Sequence, residues 1–157
     1  VPADAHARFS AKWRSYTYYL HDAKNPFKRL HSWAVPLHKW DIDQIEAAID
    51  LFRKADYFRR FCKDSPKEKH YLCSIKKVSF VVDGDTARFE IKANRYLHNM
   101  IRRLVGSLFD LSKGSISLKE IERALFFDEP MKFHYCAPPQ GLFLSNVEYP
   151  FIPNEQG

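Results

Sequence analysis

The spacing of hydrophobic positions shifts along the chain from strand-like alternation to helical periodicity and back, and each shift predicts an element. In WRSYTYYLHD the alternation and the aromatic content predict a strand from Trp13 to His21, with Tyr16 and Tyr18 facing one side. Pro26 and Pro36 bracket a connecting segment. In WDIDQIEAAIDLFRKAD, residues Ile42, Ile45, Ala48, Ile49 and Phe52 share one helical face, with Asp41 and Gln44 at the N-cap and N3 positions. LCSIKKVSFVVDGDTARFEIKAN, from Leu72 to Asn94, is two β-rich runs around Asp83-Gly84-Asp85, where the Asp-Gly pair suits a tight antiparallel turn. KANRYLHNMIRRLVGSL follows, with Leu97, Met100, Ile101, Leu104, Val105 and Leu108 at helical spacing. Ser117 and Glu120 form a second capping box that opens a helix in SLKEIERALFF, which must end before Pro130. GLFLSNVEY reads as a closing strand. The order β-α-β-β-α-α-β predicts a ferredoxin-like α+β layer, an antiparallel sheet with helices packed on one face.

Composition narrows the picture. No repeat, low-complexity run or Gly/Ser linker interrupts the 157 residues, and 45% hydrophobic content can fill one core, so residues 1–157 are read as one domain. Twenty-five Lys and Arg against nineteen Asp and Glu leave a net charge of +6, which favours an anionic partner, nucleic acid before membrane. No run of about eighteen apolar residues is present for a membrane span, and no basic-then-apolar leader opens the chain, so a soluble, cytoplasmic protein is expected. Cys62, Cys73 and Cys136 are odd in number and form no CxxC pair, which argues for reduced thiols. Together with His70 and His134 they match no common zinc spacing, so no metal is expected. The chain opens at Val1 without an initiating Met, the expectation being a piece of a longer protein.

Basic and aromatic residues recur together. Arg95, Asn99 and Arg102 are spaced to share one face of the predicted central helix, and Arg103 is offset by about 100°. An arginine fork matches phosphate or carboxylate geometry and keeps its charge. HARFSAKWRSYTYYL gathers Arg8, Lys12 and Arg14 with Trp13, Tyr16, Tyr18 and Tyr19, phosphate partners beside rings on which bases stack. YFRRFCK adds Arg59, Arg60 and Lys63. Taken singly, each cluster has a plainer reading as a solvated charged face or as strand aromatics in a core.

Three separated stretches in this order, HARFSAKWRSYTYYL, NRYLHNMIRRLVGSL and PQGLFLSNVEYP, make the chain resemble the TruA family of tRNA pseudouridine synthases, over nearly its whole length. The resemblance implies isomerisation of uridine to pseudouridine in tRNA, commonly in the anticodon stem-loop, without a cofactor. That chemistry cuts the glycosidic bond, turns the uracil and rejoins it through C5, so the base must leave its stack and enter a pocket. By the same resemblance Tyr16 is the active-site tyrosine whose ring packs on the flipped uracil where C5 loses its proton. Arg102 is the cation that pairs with the catalytic aspartate and keeps it ionised and aimed. Leu142 lines the pocket and keeps water out. Arg8, Lys12, Arg14, Arg59, Arg60, Arg95 and Arg103 are the candidates for RNA contact. Members of the family form homodimers with tRNA across both subunits, so a dimer is open to this chain as well.

One departure is decisive for activity. The family's nucleophilic aspartate stands in an Arg-Thr-Asp segment upstream of the first stretch, and no aspartate here has that setting: Asp4 and Asp56 follow Ala, Asp22 follows His, and Asp83 follows Val. The chain therefore resembles the C-terminal half of such an enzyme, expected to be inactive alone. The competing readings are a non-catalytic RNA-binding module on a ferredoxin-like sheet and a structural domain with an incidental basic surface. Against the first, FEIKANRY lacks the glycine-aromatic signature of an RNA-recognition strand.

Overall fold

A computed structural model describes residues 13–24, 31–63, 70–132 and 134–149. Strands β1 (Trp13–Asp22), β2 (Trp33–Val35), β3 (Ile75–Asp83), β4 (Thr86–Ala93) and β5 (Leu142–Glu148) form a single sheet. Helices α1 (Ile42–Lys54), α2 (Met100–Ser112) and α3 (Leu118–Phe126) complete the fold. β4 lies antiparallel between β1 and β3, and β5 runs antiparallel along the other side of β1. The path β5-β1-β4-β3 is consistent with the predicted ferredoxin-like layer.

One strand was hidden from the pattern. β2 is three residues long and pairs in parallel with the last part of β1, Leu20 opposite Trp33 and Asp22 opposite Val35. So short a strand shows no alternation, and it falls inside the segment read as a connector. Trp33 secures it by stacking on Tyr135, with ring centres 5.5 Å apart and planes 5° from parallel.

Register divides the sheet into alternating transverse rows. Val78, Ile91, Tyr16 and Leu144 form one row on the helix side, and Phe80, Phe89, Tyr18 and Leu142 form the next. The rows between them, such as Ser79, Glu90, Thr17 and Phe143, point to the other face. On the helix side the core closes with Ile45, Ala48, Ile49 and Phe52 of α1, Leu104, Val105 and Leu108 of α2, and Ile121 and Leu125 of α3. Ile42, the first residue of α1, is the exception among the predicted face and remains exposed.

Both predicted caps form. The Asp41 carboxylate accepts from Gln44 N at 3.3 Å and Ser117 Oγ accepts from Glu120 N at 3.2 Å, each bond satisfying a first-turn amide. The hairpin differs by one residue from the expectation: Asp83 ends β3, and Gly84 and Asp85 make the turn with positive φ (60°) at Gly84 alone. Glycine at the first central position is the type II′ pattern, so the work falls to Gly-Asp and not to Asp-Gly.

The central helix also begins later than its hydrophobic spacing suggests. Lys92 and Ala93 still belong to β4, and α2 starts at Met100 because Asn99 takes a left-handed conformation, φ 60°. Leu97 continues the apolar spacing and is buried, yet it sits in the connecting turn. Arg95 therefore does not share a helix face with Arg102.

Candidate active site

Tyr16 and Tyr18 occupy neighbouring rows on the helix side of β1, as alternation predicts, and their surroundings differ. Tyr18 is fully buried and its hydroxyl donates to Pro138 O at 2.6 Å. Burial pushes its pKa far up, against the pull of the nearby Arg102 charge, so the phenol is a neutral donor at ordinary pH. Tyr16 is half-buried, with its ring edge-on to Tyr96, centres 5.0 Å apart. The Tyr96 hydroxyl in turn donates to Arg14 O at 2.5 Å and reaches Ile91 O at 3.2 Å, which fixes that wall of the Tyr16 environment. Across the strand, Tyr16 faces Leu144, which is 54% exposed, whereas Tyr18 faces the half-buried Leu142. The Tyr16 row is thus the more open of the two.

Leu142 approaches through a glycine. A Cβ at Gly141 would lie 2.9 Å from the Tyr18 ring and 2.8 Å from Tyr19 O, so no larger residue lets β5 begin at this height on β1.

Arg102, on the first turn of α2, is half-buried and held against the segment before β5. Its Nε donates to Ala137 O at 2.6 Å, its Nη1 to Asn99 Oδ1 at 3.3 Å, and its own carbonyl accepts from Ala137 N at 2.9 Å. All these side-chain partners are neutral. Among the described residues no carboxylate lies within ion-pair distance of Arg102, whereas Arg53, Arg59, Arg60, Arg88 and Arg123 each have one. A guanidinium has donors to spare beyond the two spent here, so this one is anchored and still able to take an anion.

Arg102 and Leu142 thus converge around Tyr18, the former through electrostatic proximity and the latter through strand pairing. Tyr16 lies one step further along the same face, about 7 Å by strand rise. No direct contact joins Tyr16 to Arg102 among the described residues. A cleft of about 330 Å³ that Tyr16 borders opens on the far side of the sheet and does not include Arg102.

The other candidates are dispersed. Arg8 and Lys12 lie outside the described residues. Arg14 sits at the start of β1, with its Nε buried and unpaired among the described residues. Arg59 and Arg60 both grip Asp128, at 3.0 Å through Arg59 Nη1 and 2.9 Å from Arg60 Nε to the Asp128 carbonyl. Arg95 turns to His70, donating to its carbonyl at 2.9 Å and to Leu72 O at 3.2 Å. Arg103 borders a small hollow with Arg60, Asp110 and His134. Asp110 there is buried, which raises its pKa, and its carboxylate accepts from Tyr135 N at 3.1 Å. No group of three or more His, Cys, Asp or Glu is placed to hold a metal among the described residues, and no described helix is long and apolar enough to cross a membrane.

Asn99 is the positioning residue that spacing did not single out correctly. It acts as the left-handed start of α2 and as an acceptor for Arg102, and its type was the available signal, because asparagine tolerates positive φ better than most residues.

The sequence that builds this fold has relatives among known proteins. A family model described as tRNA pseudouridine synthase matches residues 48–150. The tRNA pseudouridine synthase A of Bacteroides fragilis is 36% identical over 153 residues, covering 96% of this chain and 60% of that protein. That of Bacteroides thetaiotaomicron is 36% identical over 154 residues, covering 96% and 56%. That of Gloeobacter violaceus is 31% identical over 150 residues, covering 94% and 49%. The chain belongs to the tRNA pseudouridine synthase family. It spans at most about 60% of the length of these relatives.

Proposed function

We propose that this chain carries the tyrosine, arginine and leucine side of a tRNA pseudouridine synthase active site, and that the complete reaction isomerises uridine in the anticodon stem-loop of tRNA. The observation that carries the reading is Arg102: half-buried, tethered by neutral oxygens, and without a carboxylate partner among the described residues. A cation so placed lowers the pKa of an incoming aspartate and fixes its direction. Tyr16, in the more open row of the same face, offers a ring for the uracil and a phenol within reach of C5. Leu142 supports the dry side of the pocket beside Tyr18.

In this mechanism the aspartate bonds to C1′ of the flipped nucleotide as the glycosidic C1′–N1 bond breaks. The uracil anion turns, and C5 bonds to C1′ as the aspartate leaves it, with N1 taking up a proton. The C5 proton is then released. The chain's own groups bind, orient and exclude water, and the nucleophile comes from an Arg-Thr-Asp segment that none of its aspartates provides. Groups that act as a unit fail together when one is missing, so the 157-residue chain alone forms no pseudouridine. The assay is tritium release from tRNA labelled at uridine C5. No release above background is expected from the purified chain, and release at an enzyme-like rate overturns the proposal. Binding of tRNA and a homodimer that places tRNA across two subunits belong to the same reading.

A further inference from the structure

The core holds a hydroxyl where packing alone asks for none. The row Phe80, Phe89, Tyr18 and Leu142 on the helix side of the sheet is apolar except for the Tyr18 oxygen. Tyr18 and its neighbour Phe89 are both 0% exposed, so a phenylalanine ring would fill this place as well. A buried hydroxyl costs free energy unless it is bonded, and this one donates to Pro138 O at 2.6 Å. Burial raises its pKa against the nearby Arg102 charge, so the proton stays on the oxygen and the donor is always present.

The oxygen it holds lies next in sequence to the anchor of Arg102. Ala137 gives both its backbone groups to that residue, its carbonyl accepting from Arg102 Nε at 2.6 Å and its N–H donating to Arg102 O at 2.9 Å. Pro138 has no N–H, so its carbonyl is the backbone group through which it can be tied to the sheet. Upstream, Tyr135 N donates to the Asp110 carboxylate at 3.1 Å and the Tyr135 ring stacks on Trp33. Residues 134–138 belong to no helix or strand, so these individual bonds, and not a regular ladder, set where Ala137 O stands. The path from Tyr18 Oη to Pro138 O, and from Ala137 O to Arg102 Nε, joins β1 to the first turn of α2. Tyr16 stands on the same strand as Tyr18 and touches Arg102 nowhere among the described residues. The path through Tyr18 therefore refers both groups of the proposed site, the ring and the cation, to one rigid element.

We infer that Tyr18 is a positioning residue: its hydroxyl, acting through Pro138 and Ala137, holds the Arg102 guanidinium at a fixed place relative to Tyr16. The inference rests on the synthase reading for the reaction served and adds a residue that touches neither the base nor the aspartate.

The first readout is hydrogen exchange at the Arg102 Nε–H, followed by NMR in the purified chain, for wild type, Tyr18→Phe and Ile45→Val. Tyr18→Phe keeps the ring and removes the hydroxyl, and the exchange is expected to quicken about tenfold. Ile45→Val, in the buried face of α1, costs a similar amount of stability and is expected to leave that exchange within about twofold of wild type, which separates positioning from general loosening. The second readout is turnover in a protein that joins these residues to an Arg-Thr-Asp segment. There Tyr18→Phe is expected to lower kcat about tenfold with KM within about twofold of wild type. It also moves the acid limb of the pH–rate profile upward, because a loosened cation depresses the aspartate pKa less. Added to Arg102→Ala it brings no further loss, since it acts through that residue. Wild-type exchange in Tyr18→Phe, loss of its fold, or a full additional loss on top of Arg102→Ala overturns the inference and leaves the synthase reading standing. Full turnover in Arg102→Ala removes the synthase reading and the inference with it, whatever the exchange shows.

Discussion

Gly106 shows how a single missing methyl group can govern the packing of the site. Its Cβ would stand 1.8 Å from Tyr135 O, so the segment leading to Ala137 and β5 presses on α2 only because this position is glycine. Helix propensity alone predicts that Gly106→Ala stabilises by about 1 kcal/mol. Overpacking against backbone predicts a loss of about 3 kcal/mol, seen as a fall of roughly 10 °C in melting temperature. The contact decides the sign, and a thermal melt checks it. Asp110 gives a second case. Burial raises its pKa, so the charged form is disfavoured in the folded chain; the resulting instability is fully present above the folded pKa and is lost progressively as pH falls from there to the lower unfolded value. Asp110→Asn is therefore expected to be more stable than wild type at pH 7, with the difference shrinking on acidification in parallel denaturant titrations. A difference that grows towards low pH contradicts this account. Neither effect was legible in the sequence, because both depend on Tyr135 lying against α2, a contact made only by tertiary folding. The proposed site residues Tyr16, Arg102 and Leu142 were nameable from the sequence because they stand in stretches that resemble one family.

Among elements, the strands and helices with full periodic faces were readable, and the misreadings have local causes. Hydrophobic spacing runs through Leu97 into α2 without a break, whereas the backbone breaks at Asn99 because a left-handed residue cannot belong to the helix. β2 was unreadable because three residues carry no period. The break at Asn99 bears on the proposed site, since it fixes where the first turn begins and hence where Arg102 points. Asn99 makes no side-chain cap bond to the helix, so its roles are its φ and its bond to Arg102. Asn99→Gly is expected to stay within about 0.5 kcal/mol of wild type, and Asn99→Ala to lose about 1 kcal/mol, because only the alanine suffers in the left-handed region. Urea unfolding of the pair checks this, and equal losses in both would mean that the bond to Arg102 outweighs the backbone.

At the scale of the whole molecule, the sheet separates two kinds of surface. The helix side is largely apolar, with Arg14, Ser107 and Asp110 among its polar exceptions and Arg102 entering beside Tyr18. The opposite side carries a basic row, Lys77 beside Lys92 where β3 and β5 bulge, and the exposed rings of Tyr19 and Phe143. The net charge of +6 pointed to an anion without saying where it would sit. Arg59 and Arg60, conspicuous in the sequence, are engaged by Asp128, while Lys76 and Lys77 became conspicuous only when register showed two bulges at one row. Among the described residues half-buried Arg102 has neutral hydrogen-bond partners only, which is the feature on which the proposed pairing with an aspartate rests. The direct measurement is turnover and tRNA affinity for Arg102→Ala in a protein that joins these residues to an Arg-Thr-Asp segment. The account predicts at least about a hundredfold loss of pseudouridine formation with tRNA affinity within about threefold of wild type. Undiminished turnover in that variant would contradict it.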